Sequence, residues 1–327
     1  MFTDDLLERV LVEPARKGAD KLYIVSGYAS ATMASRHIEI LNGLKKQINI
    51  ELIVGMCPND GLSQKDHEGF QGLVARPSGG RFVCRYVAYN PPVHAKVYAW
   101  CKGSDPVVAF SGSANYTQPS FTGPRRETMT PHSAGEGLSF YDLVLQDTVE
   151  CTDARVPSLI EVYEEPFYTL RRRTEEETEE AGASVSLPDE LNKLQQVSIN
   201  LLDNRGQLPE RSGLNWGQRP EYNREPNQAY IRIPLSIAKT DFFPSIGEHF
   251  TILTDDGKSL ICVRAQQGGK AIHTTHNNSL LGEYFRYRLG MSSGSPITRE
   301  DLTTYGRTGV DFYKIDDETY WMDFSSN

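Results

Sequence analysis

A histidine and a lysine stand two residues apart in "VHAKVYAW" (93–100), and sixteen residues after Lys96 the chain reads "GSAN" (112–115). Side chains alternate between faces along a strand, so His94 and Lys96 point the same way from a segment whose other residues are mostly apolar. Two groups able to carry positive charge are costly to hold side by side there unless an anion lies between them. "GSAN" adds the Ser113 hydroxyl, the Asn115 amide and a glycine at 112 whose backbone can come close to a ligand. Cleaving a phosphodiester without a metal requires a nucleophile for phosphorus, donors for the non-bridging oxygens and a proton for the leaving alcohol. A neutral imidazole is a competent nucleophile near pH 7, its ordinary pKa being about 6.5. Either motif alone is also what an ordinary turn or strand end contains. On successive strands they describe a phosphate site.

The elements that must position these groups alternate. "KLYIVSGYAS" (21–30), "INIELIVGM" (48–56), "RFVCRYVAY" (81–89), 93–100 and 107–115 read as strands. Residues 31–46 and 64–74 have helical spacing, and 156–173 reads as a closing helix that Pro166 could kink. This predicts an α/β domain, a mixed sheet covered by helices, over 1–173. The tract 174–190, with "EEETEE" at its head, has no aromatic residue and reads as an acidic linker. Residues 191–327 then carry short strands separated by Gly, Pro and Asn, among them "EYFRYRLGM" (283–291), with "TDDGK" (254–258) as a hairpin turn. That half is predicted to be mostly β, closed as a small barrel. The net charge of −9 does not exclude nucleic acid, because 193–307 holds 14 Lys and Arg against 11 Asp and Glu. Five scattered cysteines without a CxxC read as buried reduced thiols. No run is long and apolar enough for a membrane span, and the acidic N-terminus does not read as a signal peptide, so a cytoplasmic protein is expected.

The pair "HAK" and "GSAN" resembles the HxK…GSxN signature of the phospholipase D superfamily. The resemblance implies that His94 attacks phosphorus to give a phosphohistidine, that Lys96 and Asn115 hold phosphoryl oxygens with Ser113 beside them, and that no metal or other cofactor is used. A glutamate about a dozen residues after the Asn usually orients the attacking His, and Glu127 in "TGPRRETM" stands at that distance. Many members carry an Asp after the Lys; this chain has only Asp105, in a turn, and no role is assigned to it. The superfamily chemistry takes two histidines, yet the motif occurs once. Single-copy members pair across a two-fold axis, which implies a homodimer through the catalytic domain.

Two polar stretches bear on the substrate. The first, 205–234, holds Arg205, Arg211, Asn215, Trp216, Gln218, Arg219, Asn223 and Arg224. The second, 266–288, holds Gln267, Lys270, His276, Asn277, Asn278 and Ser279. Arg matches guanine edges and Asn or Gln adenine edges in the major groove, while Lys and hydroxyls grip phosphate. Gly- and Asn-rich solvated loops would look much the same. Trp216 reads as an anchor at the base of an arm rather than a stacking platform. His273 and His276 have no further ligand residues near them in sequence, so a zinc site is not expected. "SGYAS", "HAKVYAW…SGSANYT" and "ERSGLNWGQR…EPNQAYI" together are similar to the NgoFVII-type restriction endonucleases, in which a phospholipase-D-like domain precedes a B3-like pseudobarrel. The resemblance implies a Type II endonuclease cutting double-stranded DNA at or near a short, GC-rich site, with 205–224 and 266–279 as the two arms. Some relatives work beside a helicase-like ATPase subunit, a partner the likeness extends to this chain. A lipid phosphodiesterase, and a DNA-binding protein with an inactive nuclease domain, are the alternatives. The first would lack a membrane-binding segment here, and the second gives no reason to keep costly polar groups together.

Overall fold

The computed structural model describes residues 1–76, 80–123, 125–164 and 193–326. The chain divides into two compact units, Met1–Glu165 and Pro166–Asn327. The tract 174–190, read as a linker, lies outside the described residues.

In the first unit the strands are β1 (Lys21–Ser26), β2 (Asn49–Val54), β3 (Leu62–Ser63), β4 (Phe82–Val87), β5 (Lys96–Lys102), β6 (Asp105–Gly112), β7 (Met129–His132), β8 (Thr148–Glu150) and β9 (Val162–Tyr163). Seven form one sheet in the order β7-β6-β5-β1-β2-β4-β8. The pairs β1–β2 and β2–β4 are parallel and the rest antiparallel, which makes it a mixed sheet. Period-2 alternation splits each strand between two cores. Val25, Ile53 and Val87 pack against Tyr141 and Val144 of helix Ala134–Leu145. On the opposite face, Trp100 donates its indole N–H to Val10 O at 2.8 Å and His37 of helix Ala31–Gly43 sits 2.8 Å from the Tyr116 hydroxyl. Helices therefore cover both faces. Ser30 and Ser63 cap helices Ala31–Gly43 and Gln64–Val74, each accepting an N–H of the first turn. Asp66 accepts the Ala31 N–H at 2.8 Å and so ties the two helix starts together.

Over 156–164 the expected helix is not what forms, and 165–173 lie outside the described residues. A single turn, Val156–Leu159, ends where Ile160 takes extended backbone, and β9 then pairs with β3 in parallel. Pro157 favours a helix start, but the next few residues serve a strand edge. Helix Ala134–Leu145 and strands β7 and β8 went unread in the sequence because Gly, Ser and His interrupt the periodic pattern there.

The second unit holds β10 (Gln195–Asn200), β11 (Ile231–Arg232), β12 (His249–Thr254), β13 (Ser259–Ala265), β14 (Ala271–Thr274), β15 (Gly309–Lys314) and β16 (Thr319–Asp323). They form one sheet in the order β10-β15-β16-β12-β13-β14-β11, antiparallel except for β12–β16, which wraps into a nearly closed barrel around Phe250, Ile252, Ile272, Phe312 and Tyr320. The β12–β13 hairpin turns through Gly257 at φ 87°, as "TDDGK" predicts. Residues 283–291 correct the strand reading: Ser279–Arg288 is a helix. Leu281, Tyr284 and Phe285 are buried at a spacing of three and four, so one helical stripe faces the core. Among the described residues no helix is long and apolar enough to cross a membrane. All five cysteines are buried and free.

Candidate active site and polar arms

His94 lies just ahead of β5 rather than inside it. Pairing continues past the strand end, since Ala95 O accepts the Gly27 N–H at 2.9 Å, so the alternation that aims Lys96 outward from β5 also aims His94. Lys96 Nζ sits 2.9 Å from His94 Nε2 and donates to His94 O at 2.8 Å. An ammonium has only donors to offer, so in this contact Nε2 accepts and its lone pair is turned to Lys96. The lysine is 7% exposed, and burial pulls its ammonium below the usual lysine range while the charge of Glu127 opposes that.

Ser113 and Asn115 follow β6 in the loop that returns toward β1. A Cβ at Gly112 would lie 1.9 Å from Thr128 O, so only glycine lets this strand end pass the segment leading to β7. The Tyr28 N–H donates to Asn115 Oδ1 at 3.2 Å, which leaves the Asn115 NH₂ as the group free to meet an anion. Ser113 Oγ donates to Glu127 Oε2 and accepts the Thr128 N–H at 3.0 Å; Ser120 Oγ lies 3.4 Å from Glu127 Oε1. The resemblance gave Glu127 the task of orienting His94. Here the carboxylate is engaged by serines, and among the described hydrogen bonds none joins it to His94. Its reach to Lys96 is electrostatic.

Sequence reading missed two residues beside these. The Tyr28 and His94 ring centroids are 5.9 Å apart at 79°, and the Tyr28 hydroxyl donates to Asp60 Oδ2 at 2.5 Å. That hydrogen bond, with some burial, raises the Tyr28 phenol above its ordinary value. The "SGYAS" stretch had been noted only for resemblance. Among the described residues no group of three or more His, Cys, Asp or Glu is placed to hold a metal ion.

The arm residues divide into exposed and internal sets. Arg205, Arg211, Asn223, Gln267, Lys270 and His276 are exposed. Arg211 pairs with Glu221, and Arg219 Nε donates to Arg211 O at 2.7 Å. Trp216 is half-buried at the arm base, its ring covered by the Arg224 guanidinium at 4.0 Å and set edge-on to Tyr230. Asn277 accepts the Ser279 N–H, and Asn278 O accepts the Ala229 N–H. Two assignments to DNA, Asn215 and Ser279, are corrected, and Gln218 has its amide N–H groups on main-chain carbonyls. Asn215 is 1% exposed, with its amide donating to Pro209 O and Ile297 O and accepting the Ile297 N–H. Ser279 is buried with its hydroxyl on Glu225, and Gln218 donates to Pro226 O and Gly294 O. Asn215 and Ser279 hold loops together inside the domain, while Gln218 is half-buried and ties two loops at the surface. Arg232 on edge strand β11, not singled out in the sequence, is exposed and acts with Arg205 on the charge of Asp203.

Residues 4–158 match the family model for the NgoFVII restriction endonuclease N-terminal PLD domain, and residues 189–316 that for the NgoFVII C-terminal B3-like DNA-binding domain. Fold and site thus define a phospholipase-D-type nuclease joined to a B3-like DNA-binding domain. The chain belongs to the NgoFVII restriction endonuclease family. Solved structures similar to it include NucT from Helicobacter pylori, at 14% identity over 46% of this chain and 96% of that one with a TM-score of 0.33. Nuc from Salmonella typhimurium, a phospholipase D family member, is 12% identical over 43% of this chain and 87% of its own, also at 0.33. A hypothetical Arabidopsis thaliana protein is 14% identical over 41% and 92%, with a TM-score of 0.22. Comparison with curated proteins gave no match.

Proposed function

We propose that this chain is a Type II restriction endonuclease that cuts double-stranded DNA at or near a short, GC-rich site through a phosphohistidine at His94, without a metal ion. The observation that carries the reading is the contact of Lys96 Nζ with His94 Nε2. The Nε2 lone pair rests on the Lys96 N–H and is freed for phosphorus when an arriving phosphate oxygen takes that N–H over. Nε2 attacks phosphorus and the P–O bond to the leaving sugar breaks. Lys96 and the Asn115 NH₂ take the non-bridging oxygens, interactions of the kind worth about 3–4 kcal/mol each in a transition state. The departing oxygen needs a proton, and water must later displace the imidazole. Because the chain carries the motif once, His94 of a second copy supplies and removes those protons in a homodimer through the catalytic domain. The exposed arm residues Arg205, Arg211, Gln267, Lys270 and His276 meet the duplex, and Arg232 extends that basic edge.

Digestion of a mapped plasmid in EDTA, with sequencing of the fragment ends, tests this. Discrete fragments with one shared sequence at or near each end are expected; a smear, or intact plasmid, would reject it. Mixing wild-type and His94→Ala subunits is expected to give hybrid dimers that leave the strands uncut, whereas fully active hybrids would reject the shared site.

A further inference from the structure

Tyr28 touches two of the groups just assigned, although nothing in the HxK…GSxN pattern calls for it. Its N–H holds Asn115 Oδ1 at 3.2 Å, and its ring stands edge-on to the His94 imidazole at 5.9 Å. The ring is itself held at its far end. The hydroxyl donates to Asp60 Oδ2 at 2.5 Å, while Asp60 Oδ1 accepts the Asn59 amide at 2.7 Å. At its near end, the Tyr28 carbonyl accepts the Ser26 hydroxyl at 2.6 Å. The side chain is nevertheless 41% exposed, more than a core tyrosine needs, and it lies at the mouth of the site. Gly27 completes the seat: a Cβ there would come 3.0 Å from His94 Cδ2, so the imidazole rests almost on the backbone beside Tyr28.

An exposed imidazole ahead of a strand has several rotamers, and the one adopted here places Nε2 against Lys96. We propose that Tyr28 is a positioning residue for the nucleophile: held by Asp60, its ring confines His94 to the rotamer that presents Nε2 to phosphorus. The inference rests on the phosphohistidine reading and deepens it.

Single-turnover cleavage and DNA affinity are to be measured for wild type, Tyr28→Leu, Tyr28→Phe, Asp60→Ala and the Tyr28→Phe/Asp60→Ala double variant, with His94→Ala as reference. Tyr28→Leu, which removes the ring, is expected to slow cleavage by roughly tenfold or more with DNA affinity unchanged. Tyr28→Phe keeps the ring and restores most of the rate, leaving a loss of about two- to fivefold. Asp60→Ala should match Tyr28→Phe, and the double variant should be no slower than the slower single, because both act through one hydrogen bond. Wild-type rate in Tyr28→Leu, a loss confined to DNA affinity, or losses that multiply in the double variant would each overturn the proposal. Tyr28→Phe and Asp60→Ala keep the test open even where Tyr28→Leu fails to fold. Cleavage by His94→Ala at the wild-type rate would instead sink the nuclease mechanism itself, so the two failures are distinguishable.

Discussion

Replacing Asn215 by Ala separates a structural amide from a base-reading one. The side chain saturates three main-chain groups: the carbonyls of Pro209 and Ile297 at 3.1 and 2.7 Å, and the Ile297 N–H at 2.8 Å. Ile297 and Leu214 belong to the barrel core, and Thr298 immediately begins the capping box of helix Arg299–Tyr305. The amide therefore pins the loop carrying the early arm to the start of that helix. A buried polar group left unpaired costs about 1–3 kcal/mol. Water entering the small void would relieve part of the loss, so about 3–5 kcal/mol is expected for the three together. At about 2–4 °C per kcal/mol for a unit of this size, the second unit should melt about 6–20 °C below wild type. Urea unfolding followed by the fluorescence of Trp216 and Trp321, both in that unit, measures the change. DNA affinity at a temperature where both proteins are folded should stay within about threefold. An Asn215→Ala protein as stable as wild type but failing to bind DNA would refute the reasoning.

Three other outcomes follow from the geometry. His37 is fully buried between Leu11 O and the Tyr116 hydroxyl, each at 2.8 Å, and burial lowers its pKa from 6.5 to about 4. A depressed histidine leaves stability untouched above about pH 6.5 and removes it as the unfolded chain alone takes up the proton between pH 6.5 and 4. The full loss approaches about 3 kcal/mol, so the urea midpoint of the first unit should fall over that window and fall less in His37→Gln; equal slopes would count against it. Lys96→Met is expected to slow single-turnover cleavage about 100-fold or more while DNA affinity changes little, and a near-wild-type rate would remove the lysine from the mechanism. Lys270→Ala, on the exposed β13–β14 turn, should weaken binding to all sequences alike and lower the salt slope by about one, in titrations at several ionic strengths.

How far these features were legible in the sequence depended on how local the determining physics is. The sheet of the first unit and the site pair His94–Lys96 follow from period-2 alternation and a short spacing, which a few neighbouring residues decide. The β12–β13 hairpin followed from "TDDGK" between two apolar runs, with Gly257 at positive φ. What failed was decided at a distance. Asn215 and Ser279 have the polarity of contact residues, but Ile297 and Glu225, far along the chain, draw them inward. Aromatic residues at 284–287 suggest a strand until the barrel demands a helical stripe from Leu281, Tyr284 and Phe285. Glu127 stands at the family's spacing yet meets Ser113, a choice set by how the loops after β6 and before β7 pass each other. Tyr28 and Asp60 were invisible because nothing in sequence links residues 32 apart.

The most direct test follows the scissile phosphate itself. Duplex DNA labelled with ³²P at its internucleotide phosphates is mixed in EDTA with excess protein, quenched in alkali within the first turnover and digested to peptides. Label on the peptide containing His94, lost in acid and absent from His94→Ala, is the predicted result. Cleaved DNA with no label on protein, or cleavage that ceases once divalent ions are chelated, would contradict it.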